Sequence, residues 1–172
     1  ITDERNPFAN YQEGDLMSYL KDAKLTYAVG EKYNYSNTGM GLLGYVLAKQ
    51  RNTTYEELLT TEICDKLEMN DTRTVLSEDQ KKRTVKSYYQ GKETPDFSFN
   101  EPFVGAGGIY SSVRDMFKFI EANLHPERTT IEKDLLLAQQ PREVNKYLSM
   151  GLAWDISTLS SHDETTTVIG HS

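Results

Sequence analysis

Cysteine is nearly missing from this chain. Cys64 stands alone among 172 residues, so no intrachain disulfide can form, and its place between Ile63 and Leu67 predicts a buried, inert thiol on a helix. Basic charge is in deficit as well. Lys and Arg number 19 against 26 Asp and Glu, a formal net charge of -7, and such a surface repels phosphate backbones and anionic headgroups. Nucleic acid and membrane surfaces are therefore not the expected partners. No apolar run approaches the roughly 18 residues of a membrane-spanning helix. Histidines number only 3, and their positions, His125, His162 and His171, have no metal-site spacing. No metal and no cofactor are expected. Internal repeats and low-complexity tracts are absent too, and the start, Ile1 to Asn6, lacks the charged-then-apolar pattern of a leader. The length is near that of one ordinary domain.

What is present is mostly helical periodicity. Leu16, Met17, Leu20 and Ala23 form an apolar stripe that predicts a helix from about Asp15 to Lys24. Met40, Leu43 and Leu47 predict a second, central and buried, from Thr38 to about Gln50, in which Gly39, Gly41 and Gly44 would let another backbone approach closely. Thr53-Thr54-Tyr55-Glu56 reads as a capping box opening a third helix, with Tyr55, Leu58, Leu59 and Ile63 facing inward. Ser77 to Gln80 suggests a helical turn. Ser112-Val113-Arg114-Asp115 is another capping box, leading into a helix with Met116, Phe117, Ile120 and Leu124 on one face, and Thr129 with Glu132 can cap a further helix bearing Ile131, Leu135 and Ala138 that ends before Pro141. Strand character is confined to Thr84 to Tyr89, followed by a long loop punctuated by Gly91, Pro95 and Pro102, and to Tyr147 to Ile156 and Thr165 to Ile169, read as two antiparallel strands.

The chemistry concentrates at Lys32-Tyr33-Asn34-Tyr35-Ser36-Asn37. Tyr35 and Asn37 place a phenol and a carboxamide two positions apart at the mouth of the second helix. A phenol is a poor base at its ordinary pKa, near 10, yet beside a cation it can take a proton from a serine hydroxyl. The Asn37 amide can donate to a substrate carbonyl and accept through its oxygen, orienting an acyl group. Tyr-x-Asn alone is equally the signature of a capping Asn beside a core aromatic. Ser18-Tyr19-Leu20-Lys21 matches the bare Ser-x-x-Lys pattern of a serine nucleophile, but the stripe on that helix turns Ser18 and Lys21 toward water.

The run Tyr35-Ser36-Asn37-Thr38-Gly39-Met40-Gly41-Leu42-Leu43-Gly44 closely resembles the second motif and following helix of the serine β-lactamase and penicillin-binding protein superfamily, in its class C β-lactamase-like and esterase branch. Other segments match in order. Glu62 to Thr72 is similar to that branch's Ile…Pro-Leu-Gly-Met-x-Asp-Thr segment, with Lys66 and Glu68 where Pro and Gly are usual. Ala106 to Asp115 resembles its Ala-Gly-Gly-Leu-x-Ser-Thr-x-x-Asp turn and helix. Tyr147 to Trp154 resembles its Gly-Leu-Gly-Trp strand, and Gly170-His171-Ser172 resembles the opening of its His-x-Gly motif.

The resemblance implies a fold that is mostly α with a small antiparallel β part: the helical domain of the β-lactamase/transpeptidase-like α/β fold, truncated. Residues 1-141 would form the mostly helical domain carrying Tyr-x-Asn, and 142-172 the first strands of the returning α/β domain. It implies a serine hydrolase acting through an acyl-enzyme on a β-lactam, a peptidoglycan or other D,D-peptide, or an ester. Tyr35, Asn37 and His171 are the expected catalytic residues, with His171 in the cationic or hydrogen-bonding position of the third motif. The nucleophilic Ser-x-x-Lys is expected upstream of the chain, which on its own is expected to be inactive. A periplasmic or cell-envelope location follows from the resemblance alone. The alternative is a non-catalytic binding or sensor domain on the same scaffold, since one fold hosts several functions.

Overall fold

A computed structural model describes residues 6, 8-94, 98-145, 148-160 and 165-171. Pro95, Tyr147, His162 and Ser172, which figure in the sequence reading, lie outside the described residues. Among those described, the fold is mostly α with small antiparallel sheets. The elements are α1 (Glu13–Asp22), α2 (Asn37–Gln50), α3 (Tyr55–Leu59), α4 (Glu78–Lys81), β1 (Ser87–Tyr89), β2 (Lys92–Thr94), α5 (Val104–Gly107), α6 (Val113–Leu124), α7 (Glu132–Gln139), β3 (Arg142–Asn145), β4 (Leu148–Met150), β5 (Asp155–Ser160) and β6 (Thr165–Gly170). By contact the chain divides into two compact units, one of residues 1-26 and 34-116, the other of residues 27-33 and 117-172.

In the first unit α2 lies against α5 through its glycine face. Gly41, Gly44 and Ala48, one helical stripe, are buried. A Cβ at Gly44 would come within 3.2 Å of the Gly105 Cα and 2.9 Å of the Tyr55 ring, so only glycine allows this approach. The leucine face, expected inside, is the outer one: Leu43 and Leu47 are 50% and 42% exposed. The reason is steric, because two backbones can close on a smooth glycine surface and not across a leucine ridge. α6 departs from expectation in the same way, with Met116, Phe117, Ile120 and Leu124 all exposed while Asp115 and Ala122 are buried. On α1 only Leu16 of the expected stripe is buried.

α3 is capped by Thr54, whose hydroxyl accepts from the Glu57 N–H while Glu57 reaches back to the Thr54 N–H. The box thus sits one residue later than Thr53 to Glu56. The helix widens into a π-turn over Thr60–Cys64. Cys64 is 1% exposed, as expected, and burial pushes its thiol above the ordinary range, which keeps it protonated and unreactive at neutral pH. Beyond Cys64 the core of this unit continues through Leu67, Met69, Phe103 and Val104. The strand expected from Thr84 is the short β1, paired with β2 through the register Tyr88 to Glu93.

In the second unit the Phe119 ring stacks 6.1 Å from Trp154, and the Gln139 amide donates to the Asn123 carbonyl and side-chain oxygen at 3.0 and 2.9 Å. The cap expected at Thr129 does not form: its hydroxyl donates to the Pro126 carbonyl, and Ile131 precedes α7 with no side-chain cap. β3 to β6 form one antiparallel sheet in sequence order. The run from Tyr147 to Ile156 is not one strand. It breaks at residues 151-154 into a turn between β4 and β5, closed by the Gly151 N–H donating to the Trp154 carbonyl at 2.8 Å, and Ala153 sits there at φ 62°. A left-handed L-residue costs roughly 1 kcal/mol or more, which glycine avoids. Ala153→Gly is therefore expected to stabilise this unit by up to about 1 kcal/mol, read as a higher urea midpoint by Trp154 fluorescence; an unchanged or lower midpoint would refute the strain.

Candidate active site

The segment entering α2 is extended, and Ser36 ends it as the helix cap. Its backbone sits at φ -146° and ψ 108°, its hydroxyl accepts from the Gly39 N–H at 3.0 Å, and its carbonyl accepts from the Met40 N–H at 3.1 Å. Asn37 is the first helical residue and Tyr35 immediately precedes the cap. Tyr35 and Asn37 thus flank the cap at the mouth of α2, while the Ser36 hydroxyl turns back onto the helix. Both are exposed, Tyr35 at 51%. The lysine of this segment, Lys32, places its ammonium 4.6 Å from the centre of the Tyr27 ring.

His171, in the second unit, follows directly on β6 and is exposed. β6 is set by its pairing with β5, whose last register pair, Asp155 with Gly170, adjoins the histidine. Ser18 and Lys21 are both exposed on α1, the environment in which a serine hydroxyl keeps its ordinary, unreactive character. Among the described residues no cluster of His, Cys, Asp and Glu could hold a metal ion, and no helix is long and apolar enough to cross a membrane.

Three surface clefts open in the first unit. One of about 510 Å³ includes Glu13, Tyr45, Lys49 and Glu57, one of about 450 Å³ includes Asp71, Arg83, Ser111 and Ser112, and one of about 490 Å³ includes Thr74, Lys81 and Tyr110. Tyr35 and Asn37 line none of these three. In the second cleft Arg83 forks onto Asp71 and holds its carboxyl below the usual range.

Asp115 does more than the local capping that the sequence predicts for it. Asp115, 3% exposed, accepts from the Asp71 N–H at 2.7 Å and from the Thr72 hydroxyl at 2.9 Å. The Thr72 hydroxyl also lies 2.8 Å from that of Ser111, and Arg73 pairs with Tyr110 by backbone bonds of 2.9 and 2.8 Å. Asp115 thereby joins the Glu62 to Thr72 and Ala106 to Asp115 segments, two of those that carry the resemblance. No local signal in the sequence marks this role, because the bond to Asp71 spans 44 residues.

Comparison with known proteins bears on the same segments. The sequence matches the profile of the family described as Beta-lactamase over residues 2-172. A Beta-lactamase of Pseudomonas fluorescens is 26% identical over 147 residues, covering 83% of this chain and 40% of the relative. A Beta-lactamase of Escherichia coli is 24% identical over 145 residues, covering 83% and 38%. The D-alanyl-D-alanine-carboxypeptidase/endopeptidase AmpH of Escherichia coli is 31% identical over 106 residues, covering 62% and 27%. The chain spans at most 40% of the length of these three relatives. With the profile matched over almost every residue, the capped Tyr-x-Asn entry to α2 included, this chain belongs to the β-lactamase family of the serine β-lactamase and penicillin-binding protein superfamily.

Proposed function

We propose that this chain is part of a serine hydrolase that works through an acyl-enzyme on a small molecule or peptide: a β-lactam, a D,D-peptide or an ester. The observation that carries the reading is the placement of Tyr35 and Asn37 on either side of the Ser36 cap at the mouth of α2, in a chain of this family. In the proposed mechanism Tyr35 takes the proton from a serine as it attacks the carbonyl and returns it to the leaving group. Asn37 holds the acyl substrate through its amide, and His171 polarises the site from the third motif.

The nucleophile is assigned to a segment other than these 172 residues, because Ser18, the one serine with a lysine three positions on, is exposed together with that lysine. A sheet-strand N–H completing the oxyanion hole is likewise assigned elsewhere. The division at residue 141 between a helical part and a returning sheet belongs to the same proposal, as does a periplasmic or cell-envelope location.

The test is turnover of nitrocefin and p-nitrophenyl butyrate by the full-length protein and by the 172-residue chain. Hydrolysis by the former only is the expected result. Binding of a fluorescent penicillin by the full-length protein without hydrolysis of either probe would favour a non-catalytic domain instead.

A further inference from the structure

The second and third clefts of the first unit adjoin, because Leu76, Thr84 and Tyr110 line both. Their volumes, about 450 and 490 Å³, are those of small-ligand sites, roughly 300–1,000 Å³. Each cation of the lining already has a carboxylate partner: Arg83 forks onto Asp71 at 3.0 and 2.5 Å, and Lys81 meets Glu78 at 2.7 Å. What the lining offers instead is donors and acceptors at short spacing. Thr74 gives its hydroxyl proton to Glu56 at 2.6 Å and Thr84 gives its own to the Lys81 carbonyl at 2.7 Å, which leaves both oxygens as acceptors. The fork onto Asp71 uses two N–H groups of Arg83, out of the five that a guanidinium carries. Ser87, Ser111 and Ser112 add hydroxyls, and apolar Val85 and Ile109, both exposed, stand among them.

We propose that these adjoining clefts bind a neutral oligosaccharide, with Tyr110 at their junction supplying the ring on which one sugar lies. A pyranose alternates hydroxyls, each a donor and an acceptor, with C–H faces, and it carries no charge; the lining has the same alternation and the same neutrality. An anionic ligand would have to take Arg83 from Asp71. An apolar one would strand the hydroxyls. The polar wall is organised before any ligand arrives, since Asp71 is held by the Gln80 amide as well as by Arg83, and a preformed site costs less to fill. Tyr110 is tied to Arg73 through its backbone at 2.8 and 2.9 Å, a pairing that survives a change of its side chain. Tyr35 and Asn37 line neither cleft, so the inference does not rest on the hydrolase reading.

The experiment is calorimetric titration of the full-length protein with cellotetraose, maltotetraose and chitotetraose, and separately with inorganic phosphate. At least one tetrasaccharide is expected to bind with a Kd of about 0.1–1 mM, and phosphate is expected to give no heat beyond dilution. Tyr110→Ala should weaken that binding about tenfold or more, through loss of the stacking ring, while Tyr110→Phe keeps it within about twofold. Gln80→Ala, which removes one support of Asp71, should weaken it about threefold, and it carries the test if Tyr110→Ala does not fold. Tyr35→Phe should leave the Kd unchanged.

No heat from any tetrasaccharide at about ten times the expected Kd would overturn the proposal. So would saccharide binding that folded Tyr110→Ala and Gln80→Ala proteins retain in full, or that Tyr35→Phe abolishes, since the sugar would then sit elsewhere. Phosphate binding that Tyr110→Ala leaves intact and Gln80→Ala alters would make this an anion site instead. A full-length protein that hydrolyses neither nitrocefin nor p-nitrophenyl butyrate, yet binds a tetrasaccharide through Tyr110, would support this inference while removing the hydrolase reading.

Discussion

Tyr35→Phe is expected to lower kcat of the full-length protein on the order of 10³-fold with little change in KM. The substitution keeps the ring and its contacts and deletes only the hydroxyl. Proton transfer by a positioned side chain is worth about 10²- to 10⁴-fold, and an interaction used chiefly in the transition state appears in kcat before KM. The half-exposed ring argues that the loss will not come through misfolding, because Tyr35 is 51% exposed and deletion of one hydroxyl at such a position alters stability little. Melting temperature measured beside kcat separates the two. A Tyr35→Phe enzyme with kcat within about threefold of wild type would remove the phenol from the mechanism and leave only the scaffold.

The second large effect is on stability. Asp115→Ala removes the acceptor shared by the Asp71 N–H and the buried Thr72 hydroxyl, stranding the first and leaving the second only Ser111. Each buried, unsatisfied polar group costs about 1–3 kcal/mol, so the unfolding free energy is expected to fall by about 3 kcal/mol, a large part of the 5–15 kcal/mol typical of a domain. Asp115→Asn keeps one oxygen acceptor and should lose about half as much. Thr72→Val combined with Asp115→Ala should cost less than the sum of the two, since either change alone already breaks their mutual bond. Urea unfolding followed by far-ultraviolet circular dichroism measures all four proteins. A loss below about 0.5 kcal/mol in Asp115→Ala would show that the carboxylate is not the tie between these segments.

The entry to α2 was legible because it depends on local chemistry. A glycine-bearing helix and its entry are written within ten residues of one another, and α2 begins at Asn37, one residue before the expected Thr38, with Ser36 and not Asn37 as its cap. Its glycines pack as their small size requires, Gly41 and Gly44 meeting the backbone around α5. Which face of a helix is covered was not legible. Periodicity marks an apolar stripe, but the partner decides burial: Leu43 and Leu47 stand open on α2, as do Phe117 and Leu124 on α6.

The same limit hid Asp115. A capping box concerns neighbours three residues apart, and its bond to Ser112 is there, whereas the bond to Asp71 spans 44 residues and leaves no periodic trace. At the sheet, β-branched residues located β6, whereas β5 was caught only at Asp155 and Ile156, because its remaining residues, Ser157 to Ser160, are mostly small and polar and read as a connection. The turn between β4 and β5 was read as strand because Ala153 carries none of the glycine signal that a left-handed residue usually gives.

The central claim is that the phenol of Tyr35 serves a serine nucleophile outside these 172 residues. Peptide mapping by mass spectrometry, after brief exposure of the full-length protein to benzylpenicillin and separately to a fluorophosphonate, tests it most directly. One adduct is predicted, on a serine that is followed three positions later by lysine and lies outside this chain, formed at least about 10²-fold more slowly in Tyr35→Phe. An adduct on Ser18, or one formed at the same rate with and without the Tyr35 hydroxyl, would contradict the account.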